Sequence, residues 1–280
     1  MILLAAALLL AAPPARAQAP SSWSLVWSDE FEDAAGAPPN PAKWGYDVGG
    51  DGWGNHELEF YCAPGAPSPC SAEAPNAVQD GRGRLVISAV RDAAGRWTSA
   101  RLNTKGLAQF QYGRIEARMR LPAAAGLWPA FWLLGTDIST AGWPSCGEID
   151  VMENVPANVP GGLGADVIKS TVHGPGYSGV GGVGRKTRFP DRVRVDDEYH
   201  VYGALWSPGR IRFYVDDWTK PFFTVTRKSV PKGKRWVFDH PFFLIMNLAV
   251  GGDWPKNPDA TTPNPAKMYV DYVRVYRSAP

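Results

Sequence analysis

The chain is predicted to fold as an all-β sandwich, and three observations carry that reading. Short β-rich runs recur along most of its length, broken by Gly, Pro, Asn and Asp. Several alternate apolar and polar residues with a period of two, the pattern of a strand with one face in a core. Amphipathic helical periodicity is nearly absent. Many short strands with little helix fit two packed sheets, as a sandwich or a jelly roll. A chain of 280 residues is long enough to bury a sizeable core.

The first element is an apolar run from Met1 to Leu10, too short to anchor in a bilayer. Ala15-Arg16-Ala17 puts small residues at the two positions a signal peptidase reads. Residues 1–19 are therefore expected to be a secretory signal cut near Ala17 or Ala19, although no Lys or Arg precedes the apolar run. Strands are then expected at Arg84–Val90, Tyr112–Leu121, Ala130–Leu134, Glu148–Glu153 and Ser170–His173. Residues 160–190, rich in Gly and poor in apolar side chains, read as loop around that last short strand, at a cleft rim. Tyr199–Trp206 and Arg210–Val215 follow, the latter with Ile211, Phe213 and Val215 on one face. Pro241–Val250 and Met268–Tyr276 complete the set. The last is a long alternating strand that needs partners, so the first and last segments are expected to meet.

Loss of the leader would remove Arg16 and leave 28 basic residues against 27 acidic ones. That balance gives no reason to expect nucleic acid or an anionic membrane as partner. In an oxidising compartment Cys62 and Cys70 are placed to close a short loop containing Pro64, Pro67 and Pro69. Cys146 is left over and reads as a buried packing residue, with no His near it in sequence.

The most informative stretch is Gly147-Glu148-Ile149-Asp150-Val151-Met152-Glu153-Asn154. On a regular strand Glu148 and Asp150 share a face and Glu153 points to the other. A bulged residue near Val151 or Met152 would bring Glu153 round to join them. Acids crowded on one face repel each other, which costs stability unless one stays protonated. Glycoside hydrolysis uses such a set, one carboxylate attacking while a carboxylic acid protonates the leaving oxygen. The competing reading is an exposed strand edge with its charges turned outward. The neighbourhood favours chemistry: Trp128, Trp132 and Trp143 lead into the cluster, and Trp254 follows the Gly251-Gly252 turn. An exposed indole covers the flat apolar face of a pyranose. Most tryptophans in a sandwich pack in the core, but Trp128 and Trp143 are flanked by Gly and Pro and are expected in a cleft.

Taken in order, these segments resemble glycoside hydrolase family 16, and within it the laminarinase-like endo-β-1,3-glucanases. The resemblance runs through Trp27-Ser28-Asp29-Glu30-Phe31, Asn40-Pro41-Ala42-Lys43-Trp44 and Asn55-His56-Glu57-Leu58-Glu59-Phe60-Tyr61. It continues through Tyr112-Gly113-Arg114-Ile115-Glu116-Ala117-Arg118, Trp128-Pro129-Ala130-Phe131-Trp132-Leu133, the acid cluster and Val270–Tyr276. It implies a curved β-jelly-roll sandwich of two antiparallel sheets with an open concave substrate cleft, as one catalytic domain over residues 20–280. It implies retaining hydrolysis, with Glu148 as nucleophile, Glu153 as general acid/base and Asp150 between them controlling the nucleophile's ionisation. Asn55, Arg101 and Asn247 match positions that contact sugar hydroxyls, and Trp128, Trp132 and Trp143 match cleft aromatics. His173 resembles a histidine near the reacting sugar, though a lone strand histidine is otherwise usually structural.

The extra residue Met152 resembles the bulged laminarinase-like branch, since the lichenase-like branch has one residue fewer there. Agarases and carrageenases share the bulge, and Arg185, Lys186 and Arg188 keep a galactan open as substrate. The resemblance implies no cofactor for catalysis. It does imply a structural calcium remote from the acids, held by backbone oxygens near Glu30 and Gly81 and by Asp271, whose carboxylate could equally form a salt bridge. The expected protein is a secreted or periplasmic monomer acting on a β-glucan, laminarin-type or mixed-linkage. A non-catalytic glucan-binding protein and a transglycosylase are the alternatives, the first opposed by the intact acids.

Overall fold

The computed structural model describes residues 23–278; the expected leader lies outside them. Two sheets face each other across one core. The seven-stranded sheet runs, edge to edge, Val183–Arg188, Val167–His173, Glu148–Glu153, Leu127–Gly135, Phe242–Val250, Arg101–Asn103 and Gly45–Asp47. The ten-stranded sheet runs Phe223–Thr226, Arg210–Val215, His200–Ser207, Gly113–Arg120, Ala266–Ser278, Leu85–Arg91, Trp97–Ser99 and Glu59–Tyr61. Trp23–Asp29 adds to Ala266–Ser278, and Ala77–Gln79 adds to Leu85–Arg91. The first and last segments meet as expected, Trp23 opposite Ser278 and Asp29 opposite Val273. One pair departs from the antiparallel expectation: Glu59–Tyr61 lies parallel to Trp97–Ser99.

The core forms because both sheets turn an apolar face inward. From the ten-stranded sheet come Leu85, Ile87, Ile115, Met119, Phe213 and Val273, all essentially inaccessible. From the seven-stranded sheet come Phe131, Leu133, Ile149, Val151, Leu244 and Met246. Burying side chains of this size contributes about 1.5–3 kcal/mol each. In Ala266–Ser278 the inward residues run Met268, Val270, then Val273 and Val275. The odd step marks a bulge at Asp271, which breaks the expected simple alternation.

Residues 160–190 differ from expectation by one strand. Val167–His173 is longer than expected, and Val183–Arg188 pairs with it as the sheet edge. The sequence Val-Gly-Arg-Lys-Thr-Arg lacks alternating apolar residues because most of its side chains face solvent, so period-two reading misses it. Cys62 and Cys70 form the expected disulfide, and Cys146 is buried and free. Among the described residues no helix is long and apolar enough to cross a membrane.

Candidate active site

The site stands on the face of the seven-stranded sheet turned away from the core. Glu148 and Asp150 lie opposite Leu134 and Trp132 on one neighbouring strand, and opposite His173 and Thr171 on the other. The register then slips by one residue: Met152 faces Phe131 and Glu153 faces Ala130, which leaves Val151 as the extra residue. Val151 and Met152 are both buried in the core. Their burial holds the bulge in place, and the bulge turns Glu153 to the side of Glu148 and Asp150. Gly147 precedes the strand with φ of 74°, where a Cβ would sit 3.0 Å from both the Phe242 ring and the Val237 carbonyl. Only glycine fits that approach.

Each carboxylate has its own indole or histidine. Trp143 Nε1 donates to Glu148 Oε2 at 2.8 Å, and Trp128 Nε1 donates to Glu153 Oε1 at 3.2 Å. Thr171 also donates to Glu153, at 3.5 Å. His173 Nε2 lies 3.0 Å from Asp150 Oδ2 and 3.7 Å from Glu148 Oε1. Burial and the neighbouring Asp150 push the Glu148 carboxyl up to about 8, opposed by His173 and the Trp143 hydrogen bond. Burial, then the charge of Glu153, also raises Asp150. Glu153 is raised by burial, while Lys169, His173, Trp128 and Thr171 pull it down. Three acids in so little water cannot all be ionised at once. Such crowding favours a mixture of carboxylate and carboxylic acid, the combination that a retaining site uses.

Arg101 and Asn247 lie on strands of the same sheet, while Asn55 and Trp143 lie in loops. Asn247 is buried; it accepts from Trp132 Nε1 at 2.8 Å and donates to the Tyr61 hydroxyl at 3.0 Å. The Arg101 guanidinium is sandwiched 4.8 Å from both the Trp53 and Trp132 rings and pairs with Asp47 at 2.8 Å. Asn55 donates to Glu57 Oε1 at 2.9 Å, and its carbonyl accepts from the Asp253 amide. Trp143 is half exposed beside Glu148. Trp128 meets Trp254 edge to face, 5.5 Å between centroids, near Glu153. The expected calcium residues lie apart from this set. Asp271 sits on the ten-stranded sheet with Oδ2 bound by Arg118, and both carboxylate oxygens of Glu30 are taken by Arg274. Gly81 lies in the turn before Leu85–Arg91.

Sequence reading missed Trp53, Glu57, Tyr61 and Lys169. Glu57 accepts from Tyr61 as well as Asn55, which links Asn55 through Asn247 to Trp132. The structure inverts the usual alternation here, with Glu57 and Glu59 buried and Leu58 between them half exposed, which the sequence does not signal. Burial and the neighbouring Glu57 hold Glu59 well above the usual carboxylate range.

A two-sheet jelly roll carrying paired carboxylates among open-face indoles defines a polysaccharide-cleaving glycosidase. Residues 70–274 match the model for glycosyl hydrolases family 16, and the chain belongs to that family. It is 46% identical over 268 residues to a β-glucanase of Rhodothermus marinus, covering 91% of this chain and 85% of that protein. Identity to glucan endo-1,3-β-glucosidase A1 of Niallia circulans is 36%, over 91% of this chain but only 38% of that longer protein. The solved endo-β-1,3-glucanase of Pyrococcus furiosus superposes with a TM-score of 0.77 at 43% identity, covering 91% of this chain and 94% of that one.

Proposed function

We propose that this protein is a retaining endo-β-1,3-glucanase acting on laminarin-type glucan, with Glu148 as nucleophile and Glu153 as general acid/base. The observation that carries the roles is the bulge at Val151, which puts Glu148, Asp150 and Glu153 on one face among Trp128, Trp132 and Trp143. The substrate follows from relatives named for β-1,3-glucan cleavage.

In the first step a Glu148 oxygen forms a bond to the anomeric carbon as the glycosidic C–O bond breaks, and the Glu153 proton passes to the leaving oxygen. In the second, Glu153 takes a proton from water, whose oxygen displaces Glu148 from the anomeric carbon. Trp143 holds the nucleophile's second oxygen by its N–H, and the His173–Asp150 pair steadies the Glu148 carboxylate before it attacks and as it leaves again in the second step. Asn247, Arg101 and Asn55 offer polar groups to the sugar hydroxyls beside the indoles. Laminari-oligosaccharides released from laminarin, with slower release from lichenan and barley glucan and none from agarose or κ-carrageenan, are the expected result. Activity confined to a galactan would overturn the substrate, and near-wild-type rates in Glu148→Gln or Glu153→Gln would overturn the roles.

We further propose secretion, supported by the apolar run before residue 20 and by the Cys62–Cys70 disulfide. Mass spectrometry of the exported protein should find its first residue near Gln18 or Pro20. A monomer is expected in sedimentation, since the site needs no partner residue. A structural calcium suits the hard oxygens that the Glu30 and Gly81 backbones and the second Asp271 carboxylate oxygen offer. It would stabilise the fold and take no part in either chemical step. A lower melting temperature with chelator in the wild type, and none in Asp271→Ala, is the expected result; no wild-type shift would remove the ion.

A further inference from the structure

Glu153 has one cationic neighbour that neither chemical step uses. Lys169 lies directly opposite Glu153 in the register of the two strands, on the same face. Side chains so paired stand roughly 4.5–5.5 Å apart at Cβ. The Lys169 ammonium sits 5.2 Å from the Trp254 ring centroid, and Trp254 in turn meets Trp128, the indole bonded to Glu153. Among the described residues no salt-bridge partner neutralises Lys169. Its neighbour across the next strand pair, Lys186, is engaged with the Gly161 and Gly162 carbonyls, and Arg188 is paired with Asp166. The other charged or titratable groups facing Glu153 are Asp150 and Glu148 on its own strand and His173 on the Lys169 strand. The strand on its other side presents only Ala130 and the indoles of Trp128 and Trp132.

We propose that Lys169 is a positioning residue for the acid/base: held over Trp254, its fixed positive charge favours the carboxylate form of Glu153, which the second chemical step requires. Resting on the roles assigned above, this deepens them. Buried beside two other acids and without Lys169, Glu153 would hold its proton too tightly to accept another from water. The direction of the Lys169 influence on Glu153 agrees with that role. A cation clamped on an indole face is also desolvated on that side, so water screens it less.

The test is the pH dependence of kcat and kcat/KM on laminarin for wild type, Lys169→Met, Lys169→Arg and Glu153→Gln, each checked for an unchanged melting temperature. In Lys169→Met the alkaline limb of kcat/KM, which reports loss of the Glu153 proton, should move up by about one pH unit. Near neutral pH its kcat should fall by about tenfold, because the base needed in the second step stays protonated. Lys169→Arg keeps the charge and should restore the wild-type profile. A Lys169→Met profile superimposable on wild type would overturn the proposal, as would an equal displacement in Lys169→Arg. Loss of activity in Glu153→Gln alone would leave the acid/base assignment standing even then, and its retention would overturn the assignment itself.

Discussion

Replacing Glu148 by Gln should make the protein more stable while destroying its activity, and the gain should depend on pH. The folded protein holds the Glu148 carboxyl at about 8 against an ordinary 4.5, mainly through burial and then the charge of Asp150. Its carboxylate side chain is only 18% exposed, so solvent screening is limited. A carboxyl raised on folding binds its proton more tightly in the native state. Its stabilising contribution is therefore complete below about pH 4.5 and is lost as pH rises toward 8. At 1.36 kcal/mol per pH unit the loss reaches about 5 kcal/mol, an upper figure because Asp150 and Glu153 titrate with it. Gln cannot ionise, so the variant escapes that loss. Urea unfolding at pH 5 and pH 8 reads it directly: the wild type should weaken between the two by several kcal/mol more than Glu148→Gln. A variant less stable than wild type at pH 8, or parallel pH profiles, would refute the reasoning.

Other predictions follow from single contacts. Trp143→Phe keeps the ring but removes the N–H donated to Glu148; losing a hydrogen bond to a charged group is worth about 1.5–3 kcal/mol, so kcat should fall roughly 10- to 150-fold with little change in melting temperature. Gly135→Ala would set a Cβ 2.0 Å from the Cys146 carbonyl oxygen and 2.7 Å from the His240 ring, and should lower the urea midpoint severely or prevent folding. Cys62→Ser opens a loop of eight-residue separation and should cost about 2–3 kcal/mol in denaturant unfolding, leaving activity on laminarin unchanged.

Much of this site was legible in the sequence because strand geometry is so regular. The offset of Glu153 from Glu148 and Asp150 demanded an extra residue, and Val151 supplies it where Met152 or Val151 had been expected. Trp128 and Trp143, whose Gly and Pro neighbours suggested a cleft position, donate to Glu153 and Glu148. The expected strands are present because their inward residues bury against one core. Less legible were elements whose alternation carries no apolar signal. Val183–Arg188 is an edge strand facing water, and Glu59–Tyr61 is three residues long with its acid inside. The buried link from Asn55 through Glu57, Tyr61 and Asn247 to Trp132 joins segments nearly two hundred residues apart, so no local pattern reveals it. Lys169 looks like an ordinary surface lysine until the register sets it opposite Glu153.

The central claim is that Glu148 attacks the sugar and carries it covalently between two steps. The most direct measurement is intact-protein and peptide mass spectrometry after incubation with an activated 2-deoxy-2-fluoro laminaribioside, which slows the second step. The account predicts a single added glycosyl unit, mapped to Glu148 and absent from Glu148→Gln. An unlabelled wild type that still cleaves laminarin, or a label on any other residue, would contradict it.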